Sequence, residues 1–269
     1  MKSKKHHKTI VLSDIHLGSR WSKAIEVLNF LKNNSCDTLI LCGDIIDGWS
    51  IMRGSRIKWR RRHTRLIQYL LSIQNSTKII YVRGNHDDFL DRILPLKFSN
   101  MQIVKEYIHV SGNSRYYVVH GDIYDKITST YKIISKLGDI GYSMLLYINH
   151  HYNKKRASRG LAYRPISKSI KNRVKKSISY ISDFENVISL IAKEKGCEGV
   201  ICGHIHEVAN KYVNNVHYMN SGDWVESLSA LTEDVSGGWS ISFYHEKQSY
   251  RISSEEQYRK IPVEIPTLA

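Results

Sequence analysis

The chain has 269 residues, of which 42% are hydrophobic and 24% are charged, so it is long enough to build a large globular core. No apolar run approaches the roughly 18 to 20 residues that cross a bilayer, which argues against a membrane-spanning protein. The basic N-terminus lacks the long apolar stretch of a secretory signal, so we expect a cytoplasmic protein. The formal net charge of +15 predicts attraction to polyanions, namely nucleic acid, an anionic membrane surface or a phosphorylated substrate.

The cysteine content points to a reducing compartment. Four cysteines are too few for a disulfide scaffold in a chain of this length, and none of them forms a CxxC pair. We therefore expect all four to be reduced and buried, namely Cys36, Cys42, Cys197 and Cys202.

Five β-rich apolar runs end in Gly, Asp, Asn or His, and each is followed by a more helical stretch. In chain order they are TIVLSDIH, TLILCGDIID, KIIYVRGNHDD, YYVVHGDIYD and GVICGHIH. This alternation predicts an α/β fold with largely parallel strands that are buried on both faces. After His206, short alternating runs separated by turn residues predict an antiparallel second sheet. We therefore expect a layered β-sandwich flanked by helices.

Two segments interrupt this alternation and carry most of the excess positive charge. Residues 48–86 contain no Asp or Glu, and several Arg and Lys cluster near the start of this segment. The second segment, about 126–195, resembles several helices, and ten Lys or Arg but no acid lie within its residues 151–176. We interpret the chain as one domain over residues 1–269, with a basic helical insertion at about 126–195 that forms a cap.

The ends of the five runs carry side chains that bind divalent metal ions. A single Asp or His in such a place is most often a helix cap, a turn residue or an ordinary core residue. Five such ends in succession are different, because the carboxyl ends of strands in an α/β sheet share one edge, where ligands bind. The predicted metal ligands are Asp14, His16, Asp44, Asn85, His120, His204 and His206.

The chemistry of these seven donors predicts two metal ions. Seven oxygen and nitrogen donors are too many for one tetrahedral zinc ion and too rich in imidazole for calcium. Asp14 and His16 lie two residues apart, so at an extended strand end both side chains can point the same way. We expect two divalent transition ions that share one carboxylate, with Mn²⁺ favoured and Fe or Zn as alternatives, because no thiolate is present.

The blocks DIH, GDIID, GNHD, HGD and GHIH, in this order, resemble the five signature blocks of the calcineurin-like metallophosphoesterases. The resemblance implies the four-layer α/β/β/α sandwich and hydrolysis of a phosphoester by a hydroxide that bridges two metal ions. It assigns the first ion to Asp14, His16, Asp44 and His206. It assigns the second ion to Asp44, Asn85, His120 and His204, so that Asp44 bridges the two.

Two further residues of the GNHD block are predicted to be catalytic. His86 follows the ligand Asn85, where it could hydrogen-bond the developing charge on the phosphate or protonate the leaving oxygen. Asp87 is then predicted to hold the His86 imidazole in one tautomer. The alternative is that both are ordinary turn residues.

Within this family the chain is most similar to the UDP-2,3-diacylglucosamine pyrophosphatases of lipid A biosynthesis. The similarity lies in GNHDDFLD, HGDIYD, the helical insertion and YMNSGDWVESLSAL. It implies cleavage of UDP-2,3-diacylglucosamine to UMP and 2,3-diacylglucosamine 1-phosphate by an enzyme peripheral on the inner membrane. His86 departs from the best-known members, which have Arg there, so the chain is nearer to His-bearing relatives and its substrate stays open.

Other interpretations of the same residues remain. The basic charge fits a metallophosphoesterase nuclease or another phosphodiesterase equally well, although no nucleic-acid module is recognisable. A non-enzymatic scaffold is a third possibility. The presence of all seven predicted ligands argues against it, because a scaffold would be expected to lose some of them. Apolar side chains within residues 127–190 could line a lipid cleft or simply pack helices. Asn220 and Asp223, in NSGDW, could contact the substrate or form a turn between two strands.

Overall fold

A computed structural model describes residues 4–52, 59–126, 158–159, 169–244 and 250–252. The strands are β1 Lys5–Leu12, β2 Asn34–Cys42, β3 Lys78–Val82, β4 Leu96–Phe98, β5 Met101–Val104, β6 Tyr107–Ser111, β7 Ser114–Val118, β8 Gly199–Cys202, β9 Ala209–Val213, β10 Val216–Asn220, β11 Ser229–Glu233, β12 Trp239–Phe243 and β13 Tyr250–Ile252. The α-helices are α1 Ala24–Asn33, α2 Gly48–Met52, α3 Arg61–Ile73 and α4 Ser169–Glu194, and two 3₁₀ helices span Asp88–Arg92 and Asp122–Lys126.

The described strands form two sheets. The first has eight strands in the order β13-β12-β11-β1-β2-β3-β5-β4, and the second has five in the order β6-β7-β8-β10-β9. Strands β1, β2, β3 and β5 pair in parallel in the first sheet, and β7, β8 and β10 pair in parallel in the second. The predicted mixed α/β fold with two sheets is therefore confirmed.

The distribution of strands between the sheets differs from the prediction in two respects. The five apolar runs do form strands, but β1, β2 and β3 belong to the first sheet and β7 and β8 to the second. Their ends therefore do not share the edge of one sheet. The described strands after His206 also form no separate sheet, because β9 and β10 extend the second sheet while β11, β12 and β13 extend the first in antiparallel pairing.

Alternation along β1 divides the interior into two cores. Ile10 and Leu12 point to one face, where they pack with apolar residues of α1 and α3. Val11 points to the other face, into a core that also contains Val118 of β7 and Ile201 of β8. The two sheets therefore pack against each other, and burial on both faces explains why these strands are almost wholly apolar.

Helix α1 connects β1 to β2 and covers the first sheet because its apolar residues recur at helical spacing. Ala24, Val27, Leu28 and Leu31 are buried, in the i, i+3, i+4, i+7 pattern of a one-sided helix. Burying each large aliphatic side chain contributes about 1.5 to 3 kcal/mol. The four cysteines are all free and buried, as predicted.

The described backbone separates into two compact units, residues 1–122 with 188–269, and residues 123–187. Of the predicted insertion at 126–195, helix α4 is described, and Phe184, Ile188 and Ala192 are buried on it at every fourth position. Most of its basic centre lies outside the described residues, so the cap stays a prediction. None of the described helices is both long enough and apolar enough to cross a membrane.

Candidate metal centre

The loops that follow β1, β2, β7 and β8 bring five predicted ligands together, although the strands come from two sheets. Their donor atoms form two overlapping groups, each within 4.8 Å: Asp14, His16 and His206, and Asp14, Asp44 and His120. We call these five residues the ligand cluster. All of them belong to the unit formed by residues 1–122 and 188–269.

The shortest contacts of the ligand cluster join carboxylates to imidazoles. His206 Nε2 lies 3.0 Å from Asp14 Oδ1, and His120 Nε2 lies 3.4 Å from Asp44 Oδ2. His16 Nε2 is 3.8 Å from Asp14 Oδ1 and 3.9 Å from Asp44 Oδ2, so it stands between the two carboxylates. Asp14, Asp44 and His120 are almost completely buried.

The backbone at these positions is unusual, because five predicted ligands have a positive φ. The φ angles are 53° at Asp14, 51° at His16, 55° at Asp44, 68° at His204 and 56° at His206. A non-glycine residue held in this region costs about 1 to 3 kcal/mol, and such residues concentrate at functional sites. Asp14 and His16 therefore converge through left-handed turns, and not through the extended strand end that the sequence predicted.

Hydrogen bonds between neighbouring loops hold this backbone in place. The Asp14 amide donates to the Gly43 carbonyl at 3.0 Å, and the His16 amide donates to the Asp44 carbonyl at 2.9 Å. The Asp14 carbonyl in turn accepts from the Trp224 amide at 3.1 Å. The loops after β1 and β2 are thus connected by main-chain bonds, which can offset the local strain.

Two glycines beside the ligands are required by close packing. At Gly84, an added Cβ would overlap the Asp44 carboxylate and lie 2.5 Å from the Asp44 amide nitrogen. Gly43 has a φ of 84°, and an added Cβ there would overlap the His120 ring. A side chain at either position would therefore crowd the ligands.

Buried carboxylates and imidazoles shift each other's pKa strongly. Burial alone would raise the pKa of Asp14, but His206 and His120 lower it to about 2. His120 likewise holds the pKa of Asp44 far below its usual value, against the effect of burial. Burial opposes protonation of the imidazoles, but Asp44 raises the pKa of His120 to about 10 and Asp14 raises that of His206 to about 9. The two carboxylates therefore stay ionised and favour positive charge at the centre.

The remaining two predicted ligands border the cluster. The His204 ring lies 5.2 Å from the His120 ring, and its amide donates to Asp14 Oδ2 at 3.2 Å. Asn85 Oδ1 and His120 Nε2 are buried atoms without a hydrogen-bond partner among the described residues. Because His120 Nδ1 bonds the Cys42 carbonyl at 2.9 Å, its Nε2 faces the cluster. Buried donors that lack partners, next to two carboxylates, fit divalent metal ions.

His86 lies at the border of the cluster and contacts a carboxylate that the sequence analysis overlooked. Its Nδ1 is 3.0 Å from Asp47 Oδ1, and its Nε2 is 3.9 Å from Asp44 Oδ2. The donor atoms of His16, Asp44 and His86 also lie within 4.8 Å of one another. The Trp49 indole packs on the imidazole at 4.2 Å. Burial would lower the pKa of His86, but Asp47 and Asp44 raise it.

The tautomer-fixing role predicted for Asp87 is therefore wrong, because Asp47 makes that contact. The Asp87 carboxylate accepts hydrogen bonds from the backbone amides of Ile45, Ile46 and Gly84 and from the Tyr81 hydroxyl. It ties the loop after β2 to the loop after β3. Burial and the nearby Asp44 raise its pKa to about 7. The sequence signal for Asp47 was the second aspartate of GDIID.

Asn220 and Asp223 support the turns around the centre. Asn220 Nδ2 donates to the Gly203 carbonyl at 2.8 Å, and its Oδ1 accepts from the Gly222 amide at 2.9 Å. Asp223 Oδ1 accepts from the amides of Val225 and Glu226. Both side chains are buried, and these contacts favour the turn interpretation over substrate contact.

The fold and the ligand cluster together define a mixed α/β protein with a candidate site for divalent metal ions. A family model described as calcineurin-like phosphoesterase matches residues 7–208, well over half of the chain, so the chain belongs to this family. Membership supports a metal-dependent hydrolase. No curated protein sequence matches the chain.

Solved structures of phosphoesterases and of Vps29 proteins are distantly similar to the chain. Yfce, a phosphoesterase from E. coli, is 13% identical over 91% of this chain and 97% of its own, with a TM-score of 0.46. A Zn²⁺ complex of Vps29 from Entamoeba histolytica is 10% identical over 91% and 96%, with a TM-score of 0.47. A novel archaeal phosphodiesterase is 15% identical over 91% and 99%, with a TM-score of 0.41.

Proposed function

We propose that the chain is a two-metal phosphoesterase that cleaves a pyrophosphate or phosphodiester bond. The observation that carries the proposal is the ligand cluster, whose donor atoms form two overlapping groups, each within 4.8 Å, and four of whose five residues have a positive φ. Asp14, His16, Asp44 and His206 would hold the first ion. Asp44, Asn85, His120 and His204 would hold the second ion.

The protein side chains then have distinct tasks. Bound divalent ions would supply positive charge against the phosphoryl oxygens and lower the pKa of a water molecule until it can attack near neutral pH. Asp44 would contribute to both ions, because it lies close to His16 of one group and to His120 of the other. His86 Nε2 protonates the leaving oxygen, and Asp47 orients the ring through Nδ1.

We propose UDP-2,3-diacylglucosamine as the substrate, which would give UMP and 2,3-diacylglucosamine 1-phosphate. Besides the sequence motifs, apolar side chains beside His86 support an amphiphilic substrate. Trp49 packs on His86, and Phe89, which lies against Gly48, is 42% exposed. Exposed apolar groups next to a polar reaction centre suit a substrate that carries both an acyl chain and a phosphate.

We also propose that the protein binds reversibly to an anionic membrane surface at the cytoplasmic side of the inner membrane. Trp21 is 54% exposed with the Arg20 guanidinium 4.2 Å from its ring centre, and Arg60 and Arg61 are exposed at the start of α3. Interfacial tryptophan and basic residues favour anionic leaflets, at about 1 kcal/mol per charge. Absence of cosedimentation with anionic liposomes at low salt would argue against this attachment.

A substrate panel tests the function. Purified protein with Mn²⁺ is offered UDP-2,3-diacylglucosamine, single-stranded DNA and RNA, and a simple phosphodiester, and each product is quantified. We expect UMP from the first substrate, with no UMP from Asp44→Asn and unchanged release from Asp37→Asn, an exposed aspartate that pairs with His6. Cleavage of nucleic acid alone would favour the nuclease that the basic charge also fits. Two bound ions without any turnover would favour a scaffold.

A further inference from the structure

Arg83 links the two loops that carry Asn85 and His120. It directly follows β3, and its guanidinium contacts two carboxylates: Nη1 lies 2.5 Å from Asp122 Oδ2 and Nε lies 3.0 Å from Asp91 Oδ1. The Arg83 side chain is only 13% exposed and that of Asp122 12%, so this pair is largely withdrawn from water. A two-partner contact of this kind fixes the direction of the guanidinium.

The contact between Arg83 and Asp122 joins loops that follow strands of different sheets. Asn85 follows a strand of the first sheet, and His120, two residues before Asp122, follows a strand of the second. No strand of one described sheet is hydrogen-bonded to a strand of the other. The relative position of the two loops therefore depends on contacts of side chains between the sheets, among them the bond from His120 Nδ1 to the Cys42 carbonyl and the contact between Arg83 and Asp122.

The Asn85 loop and the His120 loop pack closely against each other. An added Cβ at Gly84, the residue between Arg83 and Asn85, would lie 2.9 Å from His120 Cδ2. Displacement of either loop by a fraction of an ångström would therefore change how the Asn85 oxygen and the His120 nitrogen face a common ion. The Asn85 oxygen lacks a hydrogen-bond partner among the described residues, and the His120 nitrogen has Asp44 Oδ2 at 3.4 Å as its near contact, so the position of each depends on the loop that carries it.

We propose that Arg83 is a positioning residue that sets the affinity of the second metal ion by holding the Asn85 loop against the His120 loop. The proposal rests on the two-ion function described above. Pairing with Arg83 also neutralises Asp122, which would otherwise leave an uncompensated carboxylate near the centre. Loss of such a supporting contact typically weakens metal binding about 10- to 100-fold.

Metal titration of the full chain tests this role. Chelator-treated wild type is titrated with Mn²⁺ by calorimetry, and the loaded protein is examined by electron paramagnetic resonance for a coupled Mn²⁺ pair. We expect two ions in the wild type, whereas Arg83→Met keeps the first ion, binds the second about 10- to 100-fold more weakly and gives the signal of isolated Mn²⁺. Arg83→Lys should lie between them, because an ammonium keeps the charge but cannot hold both carboxylates in the same geometry.

Two further variants keep the result interpretable. Asp122→Asn removes the charge from the same contact and weakens it while Arg83 keeps Asp91, so it should also weaken binding of the second ion even if Arg83→Met folds poorly. Arg92→Met removes an exposed arginine from the neighbouring 3₁₀ helix and should bind both ions as the wild type does.

The outcomes separate this inference from the function on which it rests. Two ions bound with unchanged affinity in both Arg83→Met and Asp122→Asn would overturn the positioning role and leave the two-ion function intact. Equal weakening of both ions with a lower unfolding temperature would also overturn it, because that pattern describes a general structural role. Failure of the wild type to bind two ions would overturn the two-ion function and this role with it.

Discussion

Two clusters of buried polar side chains lie along β1, and they are built in different ways. One is the ligand cluster beyond the end of the strand. The other surrounds Glu233 of β11, whose carboxylate is fully buried and accepts hydrogen bonds from Thr9 of β1 and Ser111 of β6. Lys8 Nζ and His109 Nε2 complete this Glu233 cluster at 3.0 Å and 3.4 Å from the carboxylate.

The two clusters differ in backbone strain and in whether their buried polar atoms have hydrogen-bond partners. Every member of the Glu233 cluster sits on a regular strand with negative φ, and both carboxylate oxygens have partners. Four of the five residues of the ligand cluster have left-handed backbone, and Asn85 Oδ1 beside the cluster lacks a partner among the described residues. A buried polar cluster that satisfies itself stabilises the fold, whereas one that is strained and incomplete is arranged for a ligand.

Asp44→Asn should have the largest effect of the substitutions considered, because it changes the ligand cluster itself. A neutral amide bridges two cations poorly, so we expect turnover to fall by about 10³-fold or more and metal binding to weaken at both positions. The unfolding temperature of the wild type should rise when Mn²⁺ is added, because a ligand that binds only the folded state stabilises it. The variant should lose that gain. An unchanged Mn²⁺-dependent rise in unfolding temperature would contradict the bridging role.

Asp47→Asn sharpens the comparison, because Asp47 orients a side chain and is not predicted to bind metal. We expect kcat to fall about 10-fold while two ions stay bound. His86→Ala should cost about 10²-fold or more, also with metal retained. If Asp47 acts only through His86, adding Asp47→Asn to His86→Ala should have no further effect on kcat. Full additivity of the two losses in kcat would assign Asp47 a separate task.

Asp47 also marks the limit of what the sequence could predict about the site. GNHD places Asp87 next to His86 in the chain, which suggested a partnership. The chain turns so that the Asp87 carboxylate faces the amides of Ile45 and Ile46, and the imidazole faces Asp47. Adjacent residues at a sharp turn point in different directions, and only the backbone conformation decides which pair meets. That all seven ligands bind metal stays a prediction.

In the fold, too, the sequence predicts local structure better than it predicts contacts between distant segments. Each of the five apolar runs forms a strand because its buried pattern is a property of that segment alone. Membership of a sheet depends on partners far away in the chain, and the ends of β3 and β7 look alike in sequence although they lie in different sheets. The polar alternation of β12 likewise predicts antiparallel pairing, but it does not say that β11 pairs with β1.

Glu233→Gln tests whether the Glu233 cluster stabilises the fold, through the pH dependence of the unfolding free energy. Burial would raise the pKa of Glu233, but hydrogen bonds from His109, Ser111, Thr9 and Lys8 lower it from 4.5 to about 2. Because the folded-state pKa is depressed, the stabilisation is present above about pH 4.5 and is lost as pH falls toward about 2. We expect the variant to be less stable by about 3 kcal/mol at neutral pH and to approach the wild type in acid. Denaturant unfolding across this range measures it.

The same variant should leave the metal centre unaffected. Two ions should bind, and kcat per folded molecule should match the wild type, because none of the Glu233 cluster residues contacts a predicted ligand through the hydrogen bonds and ion pairs described for it. A gap in stability between variant and wild type that stays constant from neutral pH to about 2 would show that ionisation of Glu233 is not the source of the stabilisation.

Lys8→Met should have the smallest effect, because the Glu233 carboxylate is held mainly by buried hydroxyl groups and only partly by this ammonium. The Lys8 side chain is 37% exposed, so solvent screens its ion pair and we expect a loss below about 1 kcal/mol, smaller still at high salt. Lys5→Met, on an exposed position of the same strand, should change the unfolding free energy by less than about 0.5 kcal/mol. A loss from Lys8→Met as large as that from Glu233→Gln would mean that charge pairing, and not the hydrogen bonds of Thr9 and Ser111, keeps this carboxylate ionised inside the fold.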